Sequence, residues 1–169
     1  MNDLLLDRDA TISECGKYRY QLARRWGEGP VATFIMLNPS TADAEIDDAT
    51  IRKCMGFAHR WGMSGLMVGN LFAYRATKPR DMMKAHDPVG PSNQEHLERM
   101  CHEAGASGNG GIVICAWGAN GSYMQQDQTF LGWCDGLWLI KPKALRLTGK
   151  GMPEHPLYVP YDVKPVEMF

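Results

Sequence analysis

The sequence predicts an α/β fold with a doubly wound, mostly parallel central sheet that is entered through an N-terminal β-hairpin. Apolar runs at residues 31–37, 66–72 and 112–117 have the length and composition of buried strands. Segments with helical periodicity lie between these runs. Strands alternating with helices are typical of parallel pairs joined by crossover helices.

Length and composition indicate one ordinary globular domain spanning residues 1–169. The chain is 44% hydrophobic and 22% charged, and a domain of this size buries enough surface to form its own core. Residues 1–7 carry acidic groups on both sides of a very short apolar patch, unlike a signal peptide, and no apolar run approaches the length of a membrane span. We therefore expect a cytoplasmic protein with no membrane partner.

The five cysteines and the net charge narrow the function classes. The cysteines are odd in number and widely spaced without a C-x-x-C pair, so we expect buried thiols rather than a disulfide framework or a metal or iron–sulfur site.

Asp43, Asp47 and Asp48 lack the spacing of a calcium loop, so we expect no metal and no cofactor. A net charge of −1 gives no general basic footprint for nucleic acid, although a local basic face remains possible.

The predicted hairpin pairs residues 18–25 with residues 31–37 through a turn at 26–30. The first segment alternates in character, the turn contains Gly and Pro, and the second segment is continuously apolar. We expect the second strand to be central in the sheet.

A strand–helix–strand unit follows. Asp47 or Asp48 can cap a helix from about residue 49 to 61, where apolar residues recur every three or four positions, and Gly62 ends it. With the strand at 66–72, the segment has the length of a right-handed βαβ unit.

The remaining elements continue the alternation. Ser92 and Glu95 form a capping-box pattern for a helix reaching about residue 104, and the strand at 112–117 follows. A weakly periodic helix at 123–134 and a fourth strand at 137–140 complete the prediction, with loop material after them.

Three strand or loop ends carry polar residues that can meet at one sheet edge. Asn38, held extended by Pro39, can orient a water or simply form a turn. Asn70 can read a nucleobase edge or cap the next loop. His155 in a His-Pro loop can donate a hydrogen bond or merely be solvated.

Two further segments allow a functional and a structural interpretation. Trp117, followed by Gly118, can stack on a base, although a tryptophan ending an apolar strand usually belongs to the core. Lys150 between two glycines can approach a phosphate or occupy a simple turn.

The order of these motifs resembles the family known as domain of unknown function 1643. The resemblance covers about residues 18–158, and it is carried by four segments, 36–43, 47–52, 69–77 and 151–158. That pattern in turn resembles the uracil-DNA glycosylase superfamily, which has a three-layer α/β/α fold, an early G-x-[ND]-P motif, a central Asn after a strand and a late H-P-S motif. In this sequence Met36 replaces the first glycine and Leu157 replaces the last serine.

The resemblance implies a role for each matched position. Asn38 would orient the attacking water and His155 would stabilise the leaving base, with Asn70 reading that base. The implied substrate-binding set is Pro39, Ser40, Asp48, Asn70, Trp117, Gly118 and Pro156. Arg75 and Lys150 are the candidate phosphate ligands, although a solvated surface role is the simpler interpretation of each.

Three functions are compatible with these residues. The first is an N-glycosylase-like enzyme that hydrolyses the glycosidic bond of a modified base in DNA or a nucleotide, after flipping the base from a duplex where there is one. The second is a non-catalytic module that binds a modified base or nucleotide. The third is a small-molecule hydrolase or transferase using the same edge of the sheet, because fold does not determine function.

Overall fold

The computed structural model describes residues 7–106, 110–137 and 140–169. The strands are β1 (Asp7–Ile12), β2 (Arg19–Arg25), β3 (Val31–Met36), β4 (Gly65–Asn70), β5 (Ile112–Cys115), β6 (Lys143–Ala144) and β7 (Val166–Glu167). The α-helices are α1 (Ala49–Arg60), α2 (Pro79–Met83), α3 (Asn93–Ala106) and α4 (Gln126–Leu137). The described residues also form 3-10 segments at Ala119–Gln125 and Pro156–Tyr158.

The sheet has seven strands in the order β1-β2-β4-β3-β5-β6-β7. Its centre is parallel, because β3 pairs parallel with both β4 and β5, and β5 pairs parallel with β6. Antiparallel strands flank this centre on both sides. The prediction of an α/β fold with a mostly parallel central sheet is confirmed. The strand predicted at residues 31–37, which is β3, is central as expected.

The N-terminal hairpin consists of different strands from those predicted. β2 pairs antiparallel with β1 and with β4, and β4 lies between β2 and β3. The predicted pairing of residues 18–25 with 31–37 is therefore wrong. The missed partner, Asp7–Ile12, is a partly exposed edge strand rich in charge, so its sequence has no buried apolar run.

The C-terminal third also differs from the prediction. The predicted helix at 123–134 begins later, at Gln126, and extends to Leu137, which was expected to begin a strand. Residues 138 and 139 of that expected strand lie outside the described residues. On the side away from β3, the parallel neighbour of β5 is the two-residue β6, and the expected loop tail contains β7 and a 3-10 turn. Pairs this short leave no detectable periodicity in a sequence.

Helix α1 forms where its cap and periodicity predict. The Asp48 side chain accepts a hydrogen bond from the Ile51 backbone N–H at 2.9 Å. The helix ends before Gly62, whose φ of +71° is a conformation that glycine adopts easily. The helix connects β3 to β4, which are parallel neighbours. Its first turn is therefore fixed beside the carboxyl end of β3.

The central strand β3 is buried on both faces. Phe34 and Met36 pack in a cluster with the apolar face of α1, whereas Ile35 and Leu37 pack in a second cluster with side chains of α2, α3 and α4. Because both faces of β3 are covered, its side chains are apolar except for Thr33, which explains the apolar run that identified the strand.

The described cysteines are free, and four of the five are buried. Within the described residues, no helix is long and apolar enough to cross a membrane.

A buried ion pair fixes the loop between β3 and α1. Arg24 of β2 is fully buried, and its Nε donates to Asp47 Oδ1 at 2.7 Å. Its Nη2 donates to the backbone carbonyls of Asp43 and Ile46 in the same loop. Asp47 also accepts from Arg8 at 2.9 Å. The loop preceding Asp48 is thus tied to the antiparallel side of the sheet.

We expect Asp47→Ala to lower the free energy of unfolding by about 3 kcal/mol, because it leaves the buried Arg24 charge without its carboxylate. Urea denaturation followed by circular dichroism measures the loss. Glu45→Ala, which removes an exposed acid from the same loop, should change the stability by less than about 0.5 kcal/mol. Equal effects of the two substitutions would contradict the assigned role of the pair.

Candidate functional site

A cavity of about 550 Å³ lies at the carboxyl edge of the parallel strands. The predicted residues that line it are Asn38, Pro39, Ser40, Asp48, Asn70, Trp117, Gly118 and His155. Further lining residues are Arg19, Met36, Leu37, Thr41, Ala49, Thr50, Ile51, Ala76, Thr77, Pro79, Ala119, Asn120, Leu157 and Tyr158. Parallel strands place their carboxyl ends together, which is where α/β proteins bind ligands.

Backbone hydrogen bonds hold the lining loops in register beyond the strand ends. The Leu71 N–H donates to the Met36 carbonyl at 2.8 Å, and the Ala76 N–H donates to the Pro39 carbonyl at 3.0 Å. The Gly118 N–H donates to the Pro153 carbonyl at 2.8 Å. The loops after β3, β4 and β5 and the His155 loop are therefore linked into one frame.

Asn38 has a fixed amide orientation. Its Nδ2 donates to the Ala76 carbonyl at 2.8 Å and to the Pro39 carbonyl at 3.3 Å. Because the amide hydrogens are used in this way, Oδ1 is the group left to accept a hydrogen bond. Asn38 is partly buried and lines the cavity, so it can accept a hydrogen bond from a water or a ligand.

Asn70 lies at the last position of β4, directly opposite Met36 of β3, and is 1% exposed. Its backbone carbonyl accepts a hydrogen bond from Asn93 Nδ2 at 2.9 Å. Its side-chain Oδ1 lies 3.5 Å from Arg19 Nη2, whereas Nδ2 has no hydrogen-bond partner in the described part of the chain. A buried amide with an unused donor is suited to recognising an acceptor on a ligand.

His155 is held as a neutral imidazole. Its Nδ1 accepts a hydrogen bond from the Leu157 N–H at 3.3 Å, which assigns the proton of the neutral ring to Nε2. Burial lowers the pKa of His155 below its usual value of 6.5, and the nearby charge of Asp48 opposes that shift. The ring can therefore donate a hydrogen bond from Nε2 at neutral pH without carrying a charge.

Trp117 serves the core and the cavity together. It is 3% exposed and packs edge-on against Phe130, with ring centroids 5.8 Å apart. It also lines the cavity, and its indole Nε1 has no hydrogen-bond partner among the described residues. Both interpretations of this residue are compatible with its position.

Three predicted residues lie outside the lining. Pro156 is buried in the 3-10 turn after His155. Arg75 donates to the Gly16 carbonyl at 3.3 Å, and Lys150 is exposed in the turn at 149–151. The cavity itself therefore does not include either candidate phosphate ligand.

Sequence reasoning missed Arg19. It lines the cavity at 2% exposure, and its Nη1 donates to the Ala42 carbonyl at 2.8 Å. Desolvation lowers its pKa to about 10, although Asp48 favours the charged form. Arg19 lies in β2, which the sequence analysis pairs wrongly with residues 31–37. Nothing in the neighbouring sequence distinguishes it from a surface arginine.

Within the described ranges, no group of three His, Cys, Asp or Glu side chains has the arrangement of a metal site.

The fold and the cavity define an α/β protein with a cavity of mixed polar and apolar lining at the carboxyl edge of its sheet. The chain belongs to the family described as "Protein of unknown function (DUF1643)", whose sequence model matches residues 19–157.

Other comparisons add little to this assignment. No match was found among curated proteins. Among solved structures, the chain is similar to hetero-hexameric glutamate dehydrogenase from Thermus thermophilus in its leucine-bound form, with 14% identity and a TM-score of 0.32. The match covers 75% of this chain and 28% of that protein. A likeness this weak indicates neither a shared fold nor a shared function.

We expect Asp48→Asn to lower the pKa of His155 further, because the substitution removes the negative charge that favours the imidazolium. Asparagine retains the capping of α1. Titration of the imidazole resonances by NMR measures the shift, with Asp135→Asn at the exposed end of α4 as the control. An unchanged or raised pKa would contradict the assigned interaction.

The same burial makes stability depend on pH. An unfolded chain binds a proton at His155 more readily than the folded protein does. The stability contributed by the neutral ring should therefore be present above about pH 6.5 and lost as the pH falls through the lowered pKa. In His155→Gln, urea denaturation across this range should show a weaker pH dependence than in the wild type.

Gly118 has φ of 72° and ψ of −163°, a conformation that is almost restricted to glycine. A Cβ at this position would meet no atom within 4 Å, so the cost of Gly118→Ala is backbone strain of about 1–3 kcal/mol. Gly149→Ala is the matched control, because Gly149 has equal space and no positive φ. Thermal denaturation should separate the two variants, and equal melting temperatures would contradict the strain.

Proposed function

We propose that this protein is an N-glycosylase-like enzyme that hydrolyses the glycosidic bond of a modified base in DNA or in a nucleotide. The observation that carries the proposal is that Asn38, Asn70 and His155, which lie far apart in the sequence, line one cavity. Their order matches that of the water-orienting, base-reading and late histidine motifs of the uracil-DNA glycosylase superfamily. With α1 on one face of the sheet and the other helices on the opposite face, the packing also supports the three-layer fold of that superfamily.

The cavity volume is compatible with a nucleobase and its sugar. Ligand cavities of about 300–1,000 Å³ accommodate small organic molecules, and this one falls within that range. Trp117 supplies an aromatic wall, and Asn70 supplies a buried amide for the polar edge of the base.

The proposed reaction needs a positioned water and a stabilised leaving group. The Oδ1 of Asn38 accepts a hydrogen bond from the water and aims its oxygen at the sugar carbon, where the new C–O bond forms. The water then loses a proton to solvent, and the departed base anion takes one up from solvent. As the glycosidic bond breaks, its electrons move onto the base, and the Nε2–H of His155 donates to a base oxygen that gains negative charge. A neutral donor is suited to this role because it adds no charge that would favour a tightly bound anionic product.

Access to DNA would require the base to leave the stack. Leu157 and Tyr158, which are 44% and 75% exposed, lie at the cavity beside His155 and can contact the bases left behind. Arg75 and Lys150 remain candidate phosphate ligands outside the cavity, where the DNA backbone on either side of a flipped nucleotide would run.

The proposal is tested with oligonucleotides that carry uracil, hypoxanthine or hydroxymethyluracil, and with the matching free nucleosides. Wild-type protein should release a base and leave an alkali-labile abasic site in DNA. His155→Gln should lower kcat by about 10²–10³, as removal of a preorganised donor does in other enzymes, and Asn38→Ala should abolish detectable release.

His102→Gln is the matched control, because His102 is exposed on α3 outside the cavity. This variant should retain wild-type activity. Tight base-dependent binding without release of any base would refute the glycosylase and favour a binding module. Neither release nor binding at low salt would favour a small-molecule enzyme.

A further inference from the structure

Two buried arginines of β2 differ sharply in how their donors are used. Arg24 is fully buried, and its guanidinium is saturated by Asp47 and by backbone carbonyls. Arg19 is 2% exposed, yet among the described residues its only close acceptor is the Ala42 carbonyl at 2.8 Å. The contact with Asn70 Oδ1 is long at 3.5 Å. Arg24 thus has the environment of a structural arginine and Arg19 does not.

Arg19 lacks the anion that a buried guanidinium normally has. Its Nε has no hydrogen-bond partner in the described part of the chain, and no carboxylate of those residues forms an ion pair with it. Asp48 influences Arg19 through its charge, but it uses Oδ1 to cap α1. A buried charge without a partner is costly, so its retention at a cavity indicates that a ligand completes it.

Neighbouring groups on the same cavity are also donors. Asn70 has an unused Nδ2, and Trp117 has a buried Nε1 without a partner among the described residues. Three side chains that line one cavity therefore carry N–H groups without a partner among the described residues. These donors are complementary to the acceptor oxygens of a ligand.

We propose that Arg19, with Asn70 beside it, forms an oxyanion site in the cavity, so that the ligand carries a carboxylate or phosphate group seated against the guanidinium. A planar oxyanion can accept two parallel hydrogen bonds from the Nε and Nη2 of an arginine, which are the two least-used nitrogens of Arg19. The inference rests on the proposed function. It narrows the substrate class to bases or nucleotides with an oxyanion that reaches the Arg19 guanidinium.

Two pairs of probes distinguish the sources of the oxyanion. Uracil and orotate differ by a carboxylate on the base, whereas uridine and uridine monophosphate differ by a phosphate. Isothermal titration calorimetry at low salt should show at least tenfold tighter binding of the charged member of one pair. The pair that shows the preference identifies whether the base or the phosphate contributes the oxyanion.

Variants of Arg19 test which residue carries the preference. Arg19→Gln should remove the difference between the charged and neutral probes, and Arg19→Lys should retain part of it because it keeps the charge but loses the planar fork. Arg25→Gln is the matched control, because Arg25 is an exposed arginine on the same strand outside the cavity. Circular dichroism checks that each variant is folded.

A measurement on the wild-type protein avoids dependence on those variants. The Nε–H resonance of Arg19 in ¹H–¹⁵N NMR should shift on titration with orotate, uridine monophosphate, acetate or inorganic phosphate. A resonance that none of these oxyanions moves would overturn the inference. Equal affinities within both probe pairs, or a preference that persists in Arg19→Gln, would also overturn it.

The outcomes separate this inference from the proposed function. Oxyanion binding at Arg19 without release of any base, including from oligonucleotides carrying 5-carboxyuracil, retains the inference and refutes the glycosylase. Release of a neutral base with unchanged activity in Arg19→Gln retains the glycosylase and refutes the oxyanion site.

Discussion

The parallel pairing of β3 with both of its neighbours is the constraint on which the rest of the structure depends. Met36 lies opposite Asn70 on one side, and Ile35 lies opposite Cys115 on the other. Backbone hydrogen bonds continue past these positions into the loops. A register shift of one residue would turn the β3 side chains to the wrong face and separate the groups that line the cavity. The geometry of the site therefore depends on the register of the sheet more than on any single side chain.

The elements predicted from the sequence are those with long, consistent patterns. Helix α1 has an aspartate cap, regular apolar spacing and a terminal glycine. Strand β3 is apolar except for Thr33, because helices cover both of its faces. The pairing of β2 was not predictable, because its partners depend on β4 inserting beside it and on the polar edge strand β1. The two-residue strands β6 and β7 are fixed by neighbours rather than by their own composition.

The candidate site was predicted where a residue's position follows from the end of an element. Asn38 and Asn70 follow or end buried strands, so their convergence with His155 could be predicted from topology and motif order. Arg19 could not be found in this way, because its burial depends on the neighbour of β2 and on the loop that contains Ala42. The sequence shows which side chains are present, but which of their hydrogen-bond donors remain without a partner depends on the three-dimensional packing.

The placement of β5 also has a consequence for the order of folding. Phe34 pairs with Val68 through a short intervening segment, but with Ile114 only after a much longer one. Closing the longer loop costs more chain entropy, so we expect the β3–α1–β4 unit to form before β5 joins it. The wall that carries Trp117, and the His155 loop linked to it through Gly118 and Pro153, would then be added last. A nascent chain would therefore hold Asn38 and Asn70 in place before Trp117 and His155 completed the lining of the cavity.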